Sequence, residues 1–189
     1  MPAMLTPRMR QGPPAGQPWA ADNGRYASPQ EYTDQGYLAW LARLAPEQGR
    51  ALFATAPDVV ADAATTLELS APLYAPIRRA GYRVALVAQD GLETLSVPWA
   101  RIDALFIGGS TGWKLGEAAH ALAAEARGRG LHVHMGRVNS LRRLRTARAM
   151  GCHSVDGTFL RWAPDTNRER MRAWFRELEQ QPEVWQWER

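Results

Sequence analysis

Residues 104–135 read ALFIGGSTGWKLGEAAHALAAEARGRGLHVHM, a complete passage from strand to helix to strand. Ala104–Ile107 is a short apolar run closed by Gly108 and Gly109. Leu115, Ala118, Ala119, Leu122 and Ala126 then recur at the three- and four-residue spacing of one buried helical stripe within a predicted helix over Trp113–Arg127. Gly128 and Gly130 stop that helix, and a second short run, Leu131–Met135, follows. Two strands joined through a helix pair in parallel, because the crossover carries the chain back to the starting edge. The alternation extends in both directions. Trp19–Ala21, Leu52–Ala56 and Val84–Ala88 read as earlier strands and Ser154–Asp156 as a later one, with amphipathic segments at Pro29–Leu44 and Ala61–Ala80. This gives six strands, fewer than the eight of a complete barrel. The predicted fold is therefore α/β, a reduced or incomplete (β/α) TIM-type barrel with parallel strands.

Residues 1–17, rich in Pro and Gly, read as an extended N-terminal arm. Residues 18–189 read as a single barrel domain. Its last part, Asn167–Arg189, is predicted as a helix carrying Trp174, Phe175, Leu178, Trp185 and Trp187. With 46% hydrophobic and 22% charged residues, a chain of 189 residues can bury one substantial core. A single cysteine, Cys152, excludes an internal disulfide framework and a cysteine zinc cluster, which favours a reducing, cytoplasmic setting. No run of about 18 apolar residues is present and the opening residues lack an apolar signal core, so neither membrane insertion nor secretion is expected. The formal charge of +4 permits a polyanionic partner without requiring one.

Reactive side chains of parallel α/β folds collect where strands end at their C-terminal rim. The successive strand ends are Asp22-Asn23-Gly24-Arg25-Tyr26, Pro57-Asp58, Gln89-Asp90-Gly91, Gly108-Gly109-Ser110, His134-Met135-Gly136-Arg137 and Asp156-Gly157-Thr158. Asp156 is read as the central carboxylate of an active site and the chain as an enzyme. Asp62 competes with Asp58, but falls in the start of the following helix. Arg137, Arg142, Arg143, Arg145 and Arg148 follow the fifth strand, and with Ser140 as cap their helix would place positive charge near the rim. His132 and His134 are read as pointing to opposite faces of a strand, with no third ligand at suitable spacing, so no metal is expected.

Taken in order, these strand ends resemble the tRNA-guanine transglycosylases, and more closely their shortened bacteriophage and bacterial relatives in 7-deazaguanine modification of DNA. Asp22 to Tyr26 is similar to the family's Asp-Ser-Gly-Gly-Tyr/Phe, Ala88 to Gly91 to its Val-Gln-Gly-Gly, and Gly108 to Ser110 to its Gly-Gly turn. Val133 to Gly136 is similar to its Leu-Met-Gly strand end and Gly151 to Asp156 to its Gly-x-Asp-x-Phe-Asp. The resemblance covers roughly residues 18–165. It implies exchange of guanine for a 7-deazaguanine such as preQ0 in a nucleic acid, DNA favoured over tRNA, without a cofactor. Asp156 would be the nucleophile of a covalent aspartyl-glycosyl intermediate and Asp22 the second catalytic carboxylate. Asp58 and Gln89 would hold the purine edge with the Gly108–Gly109 turn, Tyr26 and Met135 would clasp its faces, and Arg137, Arg142, Arg143 and Arg145 would contact phosphates. The resemblance leaves room for a homodimer or accessory modification proteins. An N-glycosidase using water and a non-catalytic deazapurine-binding subunit are the alternatives. The chain departs from the family at Arg25 and Asp90, which replace glycines, and lacks its Cys and His zinc subdomain.

Overall fold

The computed structural model describes residues 3–180. Seven strands, β1 (Ala3–Leu5), β2 (Trp19–Ala21), β3 (Ala51–Thr55), β4 (Val84–Ala88), β5 (Ala104–Ile107), β6 (His132–Met135) and β7 (Ser154–Val155), form one all-parallel sheet in chain order. The sheet curls into a half-barrel, an incomplete α/β barrel whose first and last strands do not pair with each other among the described residues. The six strands read from the sequence are present, and β1 adds a seventh inside the segment read as an extended arm, in register Ala3 to Trp19 and Leu5 to Ala21.

The helices cover the convex face: α1 (Asp34–Arg43), α2 (Ala63–Ser70), α3 (Tyr74–Arg79), α4 (Thr111–Lys114), α5 (Glu117–Gly128), α6 (Leu141–Ala149) and α7 (Pro164–Gln180). Short polar side chains start several of them. Thr33 accepts the N–H of Gly36, Asp62 that of Thr65 and Ser140 that of Arg143, each satisfying an otherwise unpaired donor of a first turn. The segment read as one helix over Ala61–Ala80 is two, because Pro72 and Pro76 lack the N–H a continuous α-helix needs. Likewise Trp113–Arg127 is interrupted where Gly116 caps α5. Of the predicted tail, α7 accounts for the described part, and Trp185 and Trp187 lie outside the described residues.

Strand alternation divides the sheet's side chains between two cores. Toward the helices, Leu86, Leu105, Ile107, Val133, Met135 and Val155 pack against Leu73, Ile77, Leu122 and Leu144. The concave face is lined by small residues, Ala20, Ala85 and Ala104, which leave space for Phe53 and Phe106. These two rings meet edge to face at 6.2 Å, and Phe106 lies 4.6 Å from the His134 ring. The barrel interior is thus filled by aromatic groups, and its upper end opens at the C-terminal rim of the strands.

Candidate active site

A cavity of about 320 Å³ lies at that rim, lined by Asp22, Asn23, Tyr26, Asp58, Gln89, Gly108, Arg137 and Asp156 among others. Two larger hollows, of about 860 and 620 Å³, lie against α5 and α6 and contain none of Asp22, Asp58 and Asp156.

Asp22 follows β2 and is tied to β1 through its N–H, 2.7 Å from the Leu5 carbonyl. Its Oδ1 accepts the Gly24 N–H at 2.7 Å, across a turn in which Gly24 takes a φ of +76°. Burial pushes its carboxyl up to about 6, and the neighbouring charges of Asp58 and Asp156 add to the effect. Next to it Asn23, almost fully buried, donates its amide to Thr55 Oγ1, the Ala56 carbonyl and Asp58 Oδ1 at 3.0–3.1 Å. Asp58 Oδ2 accepts the Gln89 amide at 2.7 Å, and burial raises the Asp58 carboxyl above its ordinary range. Gln89 is itself held, since its Oε1 accepts the N–H groups of Ala61 and Gly109, each at 3.0 Å. Asn23, Asp58 and Gln89 therefore form one hydrogen-bonded arc joining the ends of β2, β3 and β4.

Asp156 closes the other side. Its Oδ1 accepts the Arg137 N–H at 3.0 Å and its Oδ2 lies 3.0 Å from His134 Nε2. Burial pulls its pKa upward, but the hydrogen bonds from His134 and the Arg137 N–H and the Lys114 ammonium outweigh it, leaving the carboxyl below the usual range. Gly157 permits this turn: a Cβ there would sit 2.4 Å from Asn139 Oδ1 and 2.7 Å from the Val138 carbonyl. Arg137 adopts a φ of +59°, and its guanidinium reaches the Gly108 and Gly109 carbonyls, crossing from the end of β6 to the end of β5. Lys114, without exposed surface, donates to the Gly136 carbonyl at 2.7 Å. Burial, with repulsion from Arg137 and Arg143, lowers its ammonium to about 7.

Of the residues singled out in the sequence, Asp22, Asp58, Asp156, Gln89, Tyr26, Gly108 and Arg137 converge on the cavity. Gly109 stands behind it, donating to Gln89. Met135 does not reach it: it is fully buried in the helix-facing core, on the face of β6 opposite His134, and cannot clasp a ligand against Tyr26. Asp62 is the N-cap of α2. Asp90 is spent on the Ser110 backbone and hydroxyl. Arg143 donates to the Arg137 carbonyl, Arg145 pairs with Glu177 of α7, and Arg142 projects outward from α6, so the arginines do not form one patch at the cavity. Asn23, His134 and Lys114 were missed. For His134 the signal existed: residues two apart on a strand share a face, so reading His132 and His134 as opposed miscounted the period.

No family profile matches the chain, and no curated protein matches it. Solved structures do. The EAL domain of Xanthomonas citri FimX in complex with c-di-GMP aligns with a TM-score of 0.50 at 16% identity, over 76% of this chain and 59% of that one. The PaMucR phosphodiesterase, a c-di-GMP complex, gives 0.47 at 16% identity over 76% of this chain and 60% of its own. The Bacillus subtilis YkuI protein, with an EAL domain in complex with substrate c-di-GMP and calcium, gives 0.46 at 13% over 86% and 44%. The chain thus spans less than two thirds of each neighbour, and what it shares with the FimX domain is the fold.

The FimX neighbour corrects the family resemblance, since it is an EAL domain and not a tRNA-guanine transglycosylase. Guanine exchange for a 7-deazaguanine, a DNA or tRNA acceptor, preQ0, and both alternatives, the N-glycosidase and the deazapurine-binding subunit, fall with it. The physical reason lies in the motifs. Each is two to five residues long, and Asp caps and Gly turns arise at the rim of any parallel α/β barrel. Asp90 and Met135, two of the matched positions, serve a helix start and the core. Among the described residues, no helix is long and apolar enough to cross a membrane.

Among the described residues no three His, Cys, Asp or Glu side chains are grouped to hold a metal ion. Both Asp58 oxygens receive amides, both Asp156 oxygens face nitrogen partners, and Arg137 and Lys114 bring positive charge to the same rim.

Proposed function

We propose that the chain is a nucleotide hydrolase rather than a pentosyltransferase, with a cyclic guanine dinucleotide of the c-di-GMP type as its ligand. The reading is supported above all by the rim cavity that a half-buried carboxylate, Asp58, lines together with Arg137. Guanine offers donors at N1 and N2, and a carboxylate accepts both. Asp58, oriented by Asn23 and Gln89, supplies that acceptor. Arg137 faces the phosphodiester, whose paired oxygens suit a planar guanidinium. Tyr26, 70% exposed at the mouth, offers its ring to the base. For hydrolysis, Asp22, with its carboxyl near 6, is the group suited to take a proton from water close to neutral pH. The water oxygen bonds to phosphorus as the bond from phosphorus to a ribose oxygen breaks. One proton goes to Asp22, and the departing oxygen takes one from solvent, leaving a linear dinucleotide. No step is assigned to a metal ion.

Calorimetric titration with c-di-GMP and c-di-AMP, followed by chromatography of the nucleotides, tests this. Expected are preference for the guanine ligand, its loss in Asp58→Asn, and a linear product that disappears in Asp22→Asn. Equal affinity for both ligands, or none for c-di-GMP at millimolar concentration, would refute it. Binding without turnover is the second reading, favoured by the donor set that does not fit a divalent ion; an intact ligand after incubation would select it.

A further inference from the structure

Behind Asp156, the concave face of β6 and β7 carries a row of polar side chains that the proposed chemistry does not use. His134 pairs with Ser154 in strand register, and Asp156 follows two residues on, so all three share a face. His134 Nδ1 lies 2.7 Å from Ser154 Oγ, and Ser154 Oγ lies 2.7 Å from His132 Nε2. With the 3.0 Å contact from His134 Nε2 to Asp156 Oδ2, a continuous hydrogen-bonded chain runs from His132 to the rim carboxylate. His134 has no exposed surface and is fixed between the rings of Phe53 and Phe106, at 5.2 and 4.6 Å.

We infer that His134 is the positioning residue of Asp156, and that Ser154 and His132 fix which of its ring nitrogens faces the carboxylate with a proton. The inference rests on the proposed site, whose cavity Asp156 lines. An ionised carboxylate only accepts, so His134 Nε2 must donate. In a ring with one proton Nδ1 is then bare and must accept, and the Ser154 hydroxyl gives it its only hydrogen. The Ser154 oxygen in turn accepts from His132 Nε2. His132 is suited to that end position, because burial above all lowers it to about 4, with a single ring proton near neutrality. Each bond thus dictates the polarity of the next, and the terminal one ends on a charged acceptor in an aromatic setting. The other charged groups facing Asp156 are Arg137 on the loop after β6, Lys114 on α4 and Asp22 after β2. The first two favour its ionised form, and Asp22, when ionised, opposes it.

Nuclear magnetic resonance of the full chain tests the arrangement, with the Asp156 carboxyl carbon and the His134 ring nitrogens as probes. His134→Phe keeps an aromatic ring between Phe53 and Phe106 while removing both nitrogens. Its Asp156 midpoint is expected to rise by about one pH unit or more, a tenfold change in the proton affinity of the carboxyl. His134→Gln, whose amide can donate in place of Nε2, is expected to restore part of that shift. Ser154→Ala is expected to reduce the population of the His134 tautomer protonated at Nε2. An Asp156 midpoint unmoved in folded His134→Phe, or a wild-type His134 protonated at Nδ1 alone, would overturn the inference. Should His134→Phe not fold, the tautomer in wild type and Ser154→Ala decides. If the midpoint responds while c-di-GMP fails to bind, the proposed function fails and the positioning role stands; if c-di-GMP binds and the midpoint is unmoved, the reverse holds.

Discussion

Asp22→Asn isolates one carboxyl whose burial should leave a measurable signature in stability. The folded protein holds the Asp22 carboxyl near 6 against an ordinary 3.8. A raised carboxyl binds its proton more tightly folded than unfolded, so its contribution is favourable at low pH and is lost as pH rises through the folded value. At about 1.36 kcal/mol per pH unit, the gap corresponds to about 3 kcal/mol. This is an upper figure, because the carboxyl borders a solvent-reaching cavity. Asn retains an oxygen for the Gly24 N–H and cannot ionise. The variant's advantage over wild type from this linkage is therefore about 1 kcal/mol at pH 4.5 and about 3 kcal/mol at pH 7.5. Any constant offset from the amide cancels in the difference of about 2 kcal/mol between the two. Urea unfolding of both proteins at the two pH values, with slopes checked for equality, measures it. A variant advantage independent of pH, or one that shrinks as pH rises, would refute the buried-acid account of Asp22 and its proposed use as a base near neutrality.

Two further substitutions address the arc at the ends of β2, β3 and β4 and the cavity mouth. Gln89→Leu leaves the Ala61 and Gly109 N–H groups without their acceptor and Asp58 Oδ2 without its donor; a loss of about 2–5 kcal/mol in urea unfolding is expected, and a loss under 1 kcal/mol would mean that the arc is loosely held. Tyr26→Ala removes an exposed ring, so stability should change by less than about 0.5 kcal/mol. Affinity for c-di-GMP should fall by about 1–3 kcal/mol by calorimetry, and unchanged affinity would remove Tyr26 from the ligand site.

The strands from Trp19 onward were legible because their apolar runs are flanked by breakers and separated by helical stripes. β1 was not, because Ala3–Leu5 is three residues among Pro and Gly, and its strand character comes from pairing with β2. The rim side chains were legible for a geometric reason: strand ends of a parallel sheet converge whatever their sequence, so the carboxylates Asp22, Asp58 and Asp156 and the amide Gln89 could be grouped before their contacts were known. Lys114 was not legible. A lysine between Trp113 and Leu115 reads as surface, and only the arrival of Gly136 on the next strand's loop gives its ammonium a buried partner. Short rim motifs misled in the other direction, since Asp90-Gly91 imitates a base-binding turn while its carboxylate holds Ser110.

The strand order, β1 through β7 without a permutation, bears on how the molecule comes into being. Each strand pairs with the one made just before it, so a chain emerging from the ribosome always finds its template already present, and no strand must wait for a distant partner. Assembly can proceed as a ratchet, with loop closure limited to one crossover at a time. The carboxylates of the rim then come together in the order of synthesis: Asp22 first, Asp58 onto it, and Asp156 last, when β7 docks on β6 and brings Ser154 and Asp156 against the waiting ring of His134.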